Sequence, residues 1–219
     1  MSKVLVIGAR GRAGRAAVQE ARARGYEVTA VARSGTSPAD DSSSADGIVA
    51  GDVLDADRIA ELAVGYDAVI AAVYDGGSDP TLFFPRAARA LVDGLEKAGV
   101  NRLVWVGLAS ILPTADGEFL MDAPGYPQEY RSFFLAHQAA LDTFTTSTLD
   151  WVSIAPAGDF DHANPTRTGR YRLGAGEATA LISYADLAIA LVDEVDRPAH
   201  HRTAIGVLRP SPEDPTAAV

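Results

Sequence analysis

Three glycines at three-residue spacing follow a short apolar run near the start of the chain. The run KVLVI at 3–7 is typical of a strand buried on both faces, and the next seven residues, GARGRAG, lead into a helix-forming segment. Gly8, Gly11 and Gly14 would let the backbone turn tightly, approach a pyrophosphate and pack the helix onto the strand. The helix N-terminus, around Ala13, would supply N–H donors and the positive end of the helix dipole. The pattern predicts a dinucleotide-binding loop, with a strand–helix turn that holds no ligand as the alternative.

Basic residues surround this loop in a chain that is otherwise acidic. Seven of the 19 lysines and arginines lie between Lys3 and Arg33, whereas the formal net charge of the chain is −10. About 20 residues beyond the glycines, where an NAD site has a carboxylate for the ribose hydroxyls, the chain has Arg33 and Ser34. A guanidinium binds a phosphate bidentately, a hydroxyl adds a donor, and Arg10 or Arg12 could approach the same phosphate from the loop. These residues favour NADP(H), and NAD(H) stays an alternative if Arg33 is only a solvated strand end.

A regular alternation of strands and helices would position these residues. The predicted strands are 3–7, 26–33, 47–52, 66–73, 101–107, 150–156 and 203–208, with a shorter one within 169–174. The predicted helices are 12–24, 56–64, 80–97, 128–147 and 184–195. Asp55 is expected to cap the second helix, and Ser183 with Asp186 forms a capping box for the last.

This alternation predicts an α/β fold, a Rossmann-like doubly wound parallel sheet with helices on both faces. The expected strand order is 3-2-1-4-5-6, with ligands at the carboxyl ends of the strands. One domain would cover 1–209, with a polar surface loop at 34–47 and a flexible tail at 210–219. Two long irregular insertions, 108–127 and 157–181, would form the substrate side.

Composition restricts the classes of protein that the chain can belong to. At 219 residues and 47% hydrophobic, it can bury one substantial core, and the absence of cysteine excludes disulfides, thiolate metal sites and cysteine catalysis. The acidic balance argues against nucleic-acid binding, and neither a signal peptide nor a membrane-spanning run is evident. His200 and His201 lack a third ligand at a suitable spacing, so no metal site is predicted. We expect a cytoplasmic monomer or homodimer that binds a small-molecule substrate.

The glycine spacing GxxGxxG and several later segments resemble the short-chain dehydrogenase/reductase superfamily. The segments GEFLMDAPGYPQEY, ALDTFTTSTLDWVSIAPAGDF and ISYADLAIALVDEVDRPAHHRTAIGV are similar to single-domain atypical members described as NADH–flavin reductases, in the NmrA-like and biliverdin-reductase-B-like group. The resemblance spans residues 3–208. It implies a Rossmann domain that binds NAD(P).

The resemblance also implies which residues border the cofactor. In the superfamily an aspartate at the end of the third strand, here Asp52, commonly contacts the adenine amino group, and the next residue, Val53, flanks the ring; a turn or capping role is the alternative for Asp52. Pro156, Ala157 and Gly158 would border the nicotinamide. The remaining residues assigned to the cofactor end the fourth strand or follow the fifth: Ala72, Val73, Tyr74, Gly107, Leu108 and Ala109.

The usual catalytic residues of the superfamily are incomplete in this chain. That active site pairs tyrosine and lysine in a YxxxK motif and places a serine after the fifth strand. Tyr130 is followed by Phe134 where the lysine is expected, and no lysine occurs after Lys97. Ser110 lies in GLASI, where the family usually has GGAGS. The candidate catalytic residues are therefore Ser110, Tyr130 and His137, the last because its ordinary pKa is near neutrality.

A missing tyrosine–lysine pair suits an acceptor that takes its proton from water. Flavins and quinones behave in this way, so we predict an NADPH-preferring reductase that transfers hydride to a flavin, quinone or similar planar molecule, with FMN or FAD as substrate rather than bound cofactor. Apolar residues would line its cleft: Phe119, Met121, Tyr126, Phe133, Phe160 and Tyr171. The alternatives are a non-catalytic NADP(H) sensor of NmrA type and a specialised pathway reductase or isomerase.

Overall fold

One eight-stranded sheet forms the centre of the molecule. The computed structural model describes residues 2–34 and 47–210, so most of the predicted loop at 34–47 and of the tail at 210–219 lies outside the described residues. The strands are β1 Lys3–Ile7, β2 Glu27–Ala32, β3 Val49–Ala50, β4 Ala68–Ala71, β5 Arg102–Val106, β6 Asp150–Pro156, β7 Asp159–Phe160, β8 Arg172–Gly174, β9 Leu181–Ile182 and β10 Thr203–Leu208. The α-helices are α1 Arg12–Ala23, α2 Ala56–Ala63, α3 Pro80–Ala98, α4 Arg131–Thr145 and α5 Tyr184–Asp196. No helix within these ranges is both long and apolar enough to cross a membrane.

The strands of the sheet follow the order β3-β2-β1-β4-β5-β6-β10-β8. The predicted order 3-2-1-4-5-6 is thus confirmed and extended by two strands. β1 pairs in parallel with β2 and β4, with Val4 opposite Val28 and Ala68. β8 pairs antiparallel with β10, and the two-residue strands β7 and β9, which the sequence analysis did not predict, form a separate parallel pair.

The helices cover both faces of the sheet, as the doubly wound prediction requires. Successive side chains of a strand point to opposite faces, so Val4 and Val6 pack in one core cluster with α1 and α5. Leu5 and Ile7 pack in the other cluster with α2, α3 and α4. A strand with apolar residues at every position is what burial between two helical layers demands.

Two helix N-caps that the sequence predicts can be compared with the hydrogen bonds in the structure. Asp55 accepts the backbone N–H of Arg58 at 3.0 Å, and Ser183 accepts that of Asp186 at 3.0 Å, so both predicted N-caps are confirmed. The reciprocal half of the capping box is not formed. The Asp186 carboxylate instead accepts the backbone N–H groups of Thr168 and Gly169, both at 2.9 Å, because a distant segment supplies better donors. It thereby fixes part of the insertion at 157–181 onto α5.

Candidate functional site

The glycine loop packs directly against the end of β4. Gly8 has φ +86°, and a Cβ added there would overlap the carbonyl oxygen of Ala72. A Cβ on Gly14 would overlap the carbonyl oxygen of Gly8, so the helix can approach the strand only with glycine at that position. α1 begins after Gly11 without a side-chain cap from any described residue. Its first-turn N–H groups are therefore available to an anion such as a pyrophosphate.

A cavity of about 260 Å³ lies beside this loop, at the carboxyl ends of β1, β2 and β4. We call it the glycine-loop cavity. Val53, which is buried, forms part of its apolar wall, as expected for a residue that flanks a planar ring. Its lining residues are Ile7, Gly8, Arg10, Gly11, Ala32, Arg33, Ser34, Gly51, Val53, Ala72, Val73, Tyr74 and Phe83. An apolar wall, a polar rim and uncapped helix N–H donors together fit the adenosine and phosphate half of NAD(P)(H).

The basic residues of the loop separate into two groups. Arg10 donates from Nη1 to Oγ of Ser34 at 2.8 Å, and Arg33 lines the same cavity and donates to Oδ2 of Asp75 at 2.6 Å. The Arg12 side chain lies elsewhere. Its Nη1 is 3.3 Å from Nδ1 of His162, and its guanidinium lies 5.1 Å from the centroid of the Tyr184 ring. The structure thus brings Arg10, Arg33 and Ser34 together but not Arg12, because the two loop arginines leave the helix start in different directions.

Asp52 forms a turn contact, and its predicted contact with adenine stays a prediction. Its Oδ1 accepts the backbone N–H of Leu54 at 3.0 Å, and the side chain does not line the glycine-loop cavity. The neighbouring Val53 does. Ala72, Val73 and Tyr74 line the cavity on the opposite side, where the first two bring the backbone of β4 close to the loop.

A second cavity of about 490 Å³ lies where β5 and β6 end, and we call it the Tyr126 cavity. Both long insertions contribute to it. Its lining residues are Leu108, Ala109, Ser110, Leu120, Ala123, Pro124, Gly125, Tyr126, Pro127, Tyr130, Phe134, Gly158, Asp159 and Ala178. Three of these, Leu108, Ala109 and Gly158, are among the residues predicted to border the cofactor. The other residues predicted to border the cofactor at the ends of β5 and β6 are buried and do not line this cavity: Gly107, Pro156 and Ala157.

Two hydroxyl groups meet in the wall of the Tyr126 cavity. Oγ of Ser110 lies 2.9 Å from the phenol oxygen of Tyr126, a hydrogen bond in which either group can be the donor. Ser110 is buried in a single 3-10 turn after β5, and the Tyr126 ring packs edge-on against Phe134 at 5.6 Å between centroids. Sequence reasoning proposed Ser110 but counted Tyr126 only as an apolar lining residue. The 16-residue separation gave no signal that the two would meet.

His137 is buried on α4 and packs against an aromatic ring of the core. It is 5% exposed, its ring centroid lies 3.8 Å from that of Phe84, and its Nδ1 has no hydrogen-bond partner among the described residues. Burial lowers the pKa of His137 to about 3, so the imidazole is neutral at ordinary pH. It lines neither cavity. This position gives no support to a catalytic role for His137, whereas Tyr130, which precedes α4, does line the Tyr126 cavity.

Most of the residues predicted to line a substrate cleft serve the packing of the fold. Of the six, Tyr126 alone appears in the wall of the Tyr126 cavity. Met121 is buried, Phe119 is exposed, and Phe133 packs edge-on against Phe84. Phe160 stacks on Tyr184 at 3.7 Å, and Tyr171 donates to Asp193 on α5 at 2.7 Å. Apolar side chains in an irregular segment thus mark where it docks onto the core as often as where it faces a ligand.

The two adjacent histidines near the C-terminal strand are held by acidic residues. His200 Nδ1 lies 2.5 Å from Oε1 of Glu194, and His201 Nδ1 lies 2.9 Å from Oδ1 of Asp150. His200 is thereby partly buried, whereas the His201 side chain stays 58% exposed. No group of three metal-ligating side chains occurs in the described ranges.

Comparison with known proteins gives related chains of nearly the same length. The Bacillus subtilis (strain 168) protein YwnB is 34% identical over 207 residues, which cover 90% of this chain and 94% of YwnB. The crystal structure of a protein from Burkholderia pseudomallei, named "putative exported protein", is 34% identical with a TM-score of 0.81 and covers 95% of this chain and all of that chain. That name differs from the cytoplasmic location expected from the sequence, which stays a prediction.

The part of the chain that contains the glycine loop and both cavities matches a known protein family. A Streptococcus pneumoniae TIGR4 structure named "putative NADH-flavin reductase" is 32% identical, with a TM-score of 0.80, and covers 96% of this chain and all of that chain. A family model described as NAD(P)H-binding matches residues 8–198, which include the glycine loop, the Ser110–Tyr126 pair and the capped start of α5. The chain belongs to this NAD(P)H-binding family of Rossmann-type α/β proteins.

Proposed function

We propose that the protein is an NADPH-preferring reductase that passes hydride to a flavin, quinone or similar planar molecule. The observation that supports this most is the placement of two cavities along one edge of the sheet. The glycine-loop cavity lies at the ends of β1, β2 and β4, and the Tyr126 cavity lies at the ends of β5 and β6. An extended dinucleotide along this edge would have its adenosine half in the first cavity and its nicotinamide beside the second.

Residues of the protein would hold NADPH and the acceptor in fixed relative positions. Helix α1 would hold the pyrophosphate through its uncapped N–H groups, and Leu108, Ala109 and Gly158 would border the nicotinamide. When bound, NADPH supplies the hydride. The protein's contribution is then alignment of the acceptor with the nicotinamide.

The Ser110–Tyr126 pair gives the acceptor a defined contact. Tyr126 can donate a hydrogen bond to a carbonyl oxygen or ring nitrogen of a planar molecule while Ser110, which is buried, fixes the phenol group. This contact requires no lysine. A proton that the acceptor needs can come from water, since the cavity is open to solvent.

Preference for NADPH is inferred from the rim of the glycine-loop cavity. Arg10, Arg33 and Ser34 present guanidinium and hydroxyl donors on that rim, where a 2′-phosphate would lie. Replacing Arg33 by Met should weaken NADPH binding roughly tenfold and leave NADH binding nearly unchanged. Arg197→Met, which removes the same charge at the exposed end of α5, is the control and should change neither.

The proposed reaction is tested by following the absorbance of NADPH in the presence of FMN, riboflavin or menadione, each against a blank without protein. We expect turnover with at least one acceptor, faster with NADPH than with NADH. Tight NADPH binding without turnover for any acceptor would instead support the second candidate, a non-catalytic NADP(H) sensor. The absence of a tyrosine–lysine pair favours that candidate as much as it favours a flavin or quinone reductase.

A further inference from the structure

The carboxylate that pairs with Arg33 is itself held rigidly in place. Oδ2 of Asp75 accepts the hydroxyl of Ser78 at 2.7 Å, and Oδ1 accepts the backbone N–H of Gly77 at 3.1 Å. These bonds, together with Arg33, keep the pKa of Asp75 below its usual range, with the Ser78 hydrogen bond as the largest cause, so the group stays ionised. Asp75 is therefore a fixed negative charge.

Arg33 is the more exposed partner of this pair. Its side chain is 59% exposed, whereas that of Asp75 is 14% exposed. The Nη1–Oδ2 distance is 2.6 Å, and the guanidinium has reached a carboxylate 42 positions further along the chain. Because the arginine side chain is the exposed partner, its guanidinium is the group that a bound anion can reach.

The ion pair also links the loops that follow β2 and β4, beside the glycine-loop cavity. Arg33 follows β2 and Asp75 follows β4, and β1 lies between those two strands in the sheet. The bridge between them consequently passes over the end of β1, where the glycine loop begins. Arg33 is one of the residues that line the cavity, so a phosphate bound there would lie near both charges.

We propose that Asp75 limits the preference of this protein for NADPH by competing with the 2′-phosphate of NADPH for Arg33. With NADH, the Arg33–Asp75 pair stays intact. With NADPH, the phosphate and Asp75 compete for the guanidinium, and the phosphate lies close to a fixed carboxylate of like charge. The structure thus assigns Asp75 a specificity-determining role, in which it reduces a preference for NADPH that Arg33 and Arg10 would otherwise give. This inference rests on the proposed cofactor site.

The test is a pair of equilibrium titrations, with NADPH and with NADH, on the full chain and on Asp75→Asn. Asparagine keeps the size of the side chain, and its one oxygen can accept the N–H of Gly77 while its amide NH2 donates to the Ser78 oxygen. We expect the Kd for NADPH to fall roughly three- to tenfold, the range for releasing an exposed ion pair and removing a like charge, with the Kd for NADH changed less than twofold. Asp79→Asn is the matched control, because it removes the same charge in the same loop and asparagine still caps α3.

The possible results separate the two proposals. An unchanged ratio of the two Kd values in Asp75→Asn, or weaker NADPH binding, would overturn the role of Asp75 while leaving the cofactor site intact. An equal gain in Asp79→Asn would show a general charge effect and would also overturn it. Failure of every variant and of the natural chain to bind either nucleotide would instead contradict the proposed function. Circular dichroism of each variant confirms that the fold is retained.

Discussion

At the scale of single residues, the pair of hydroxyls in the Tyr126 cavity carries the proposed acceptor contact. Replacing Tyr126 by Phe removes the phenol oxygen and keeps the ring packed on Phe134. We expect kcat with the best acceptor to fall roughly 10- to 100-fold, as for loss of a hydrogen bond worth about 1.5–3 kcal/mol, with little change in Kd for NADPH. Steady-state rates and a nucleotide titration measure the two quantities.

Tyr130→Phe is the comparison variant for Tyr126, since both residues line the same cavity. The Tyr130 hydroxyl has no partner like Ser110 in the described part of the chain, and the side chain is 59% exposed, so we expect the smaller loss in kcat. Equal losses in the two variants, or none in Tyr126→Phe, would show that the Ser110–Tyr126 pair does not contact the acceptor.

His137 makes a prediction about acid stability. Its pKa is about 3 in the folded protein, against 6.5 for an ordinary histidine, because burial disfavours the charged form. Between these pH values His137 is protonated in the unfolded chain and neutral in the folded chain. The free energy of unfolding therefore falls as pH drops from about 6.5 towards 3. The effect is at most about 1.4 kcal/mol per pH unit.

The matching variant is His137→Leu, which cannot bind that proton. Denaturant titrations of both proteins between pH 7 and pH 4 should show the free energy of unfolding falling more steeply with decreasing pH in the natural chain than in His137→Leu. Curves that stay parallel over this interval would mean that His137 is protonated in the folded protein and that its ring is not enclosed as described.

Residue identity predicted the glycine loop better than the acceptor contact, for a physical reason. The positive φ of Gly8 and the close approach of Gly14 to Gly8 are local backbone geometry, which a short stretch of sequence encodes. The hydrogen bond between Ser110 and Tyr126 depends on how a loop folds back across the end of β5, and no local spacing encodes that. The Arg33–Asp75 pair lies between these cases, since the predicted strand order already placed the loops after β2 and β4 on either side of β1.

At the scale of elements, strands and helices of the sheet were predictable because each has its own periodicity and caps. The ends moved by a few residues: α4 starts at Arg131 rather than at 128, after a segment where Gln128 donates to the carbonyl oxygens of Met121 and Tyr126. The insertion at 157–181 was not predictable in this way. It is fixed by contacts to distant helices, such as Thr168 and Gly169 on Asp186, instead of by its own pattern.

The start of β5 carries a buried ionic cluster that should stabilise the fold without touching the site. Arg102, 8% exposed, donates to Glu194 on α5 at 2.7 Å and lies 3.1 Å from Asp150 at the start of β6. Arg102→Met leaves both carboxylates without this partner, so we expect the free energy of unfolding to fall by about 3–5 kcal/mol. Chemical denaturation measures this loss.

Arg89→Met is the control for Arg102, because Arg89 forms an exposed pair with Asp93 on α3 at 3.9 Å. It should cost less than about 1 kcal/mol. The Kd for NADPH should be the same in both variants and in the natural chain, measured where each is folded. Weaker NADPH binding by folded Arg102→Met would contradict the expectation that this cluster does not affect the proposed cofactor site.

At the scale of the whole molecule, the two edges of the sheet have different roles. The carboxyl edge brings the glycine-loop cavity and the Tyr126 cavity into one line, whereas the opposite edge contains the Arg102 cluster. This arrangement follows from parallel strands joined by right-handed crossovers, which place all strand ends of one kind together. Side chains far apart in sequence, such as Arg33 and Tyr126, are thereby brought to one edge of the sheet.

The central claim is that a nicotinamide bound along this edge transfers hydride to an acceptor held beside it. The most direct test uses two samples of NADPH, each deuterated at one of the two C4 positions, and measures by mass spectrometry the deuterium kept in the NADP⁺ formed during acceptor reduction. A fixed nicotinamide exposes one face to the Tyr126 cavity, so we predict nearly complete retention from one sample and nearly complete loss from the other. Similar retention from both samples, or no oxidation of NADPH above the blank, would contradict the account.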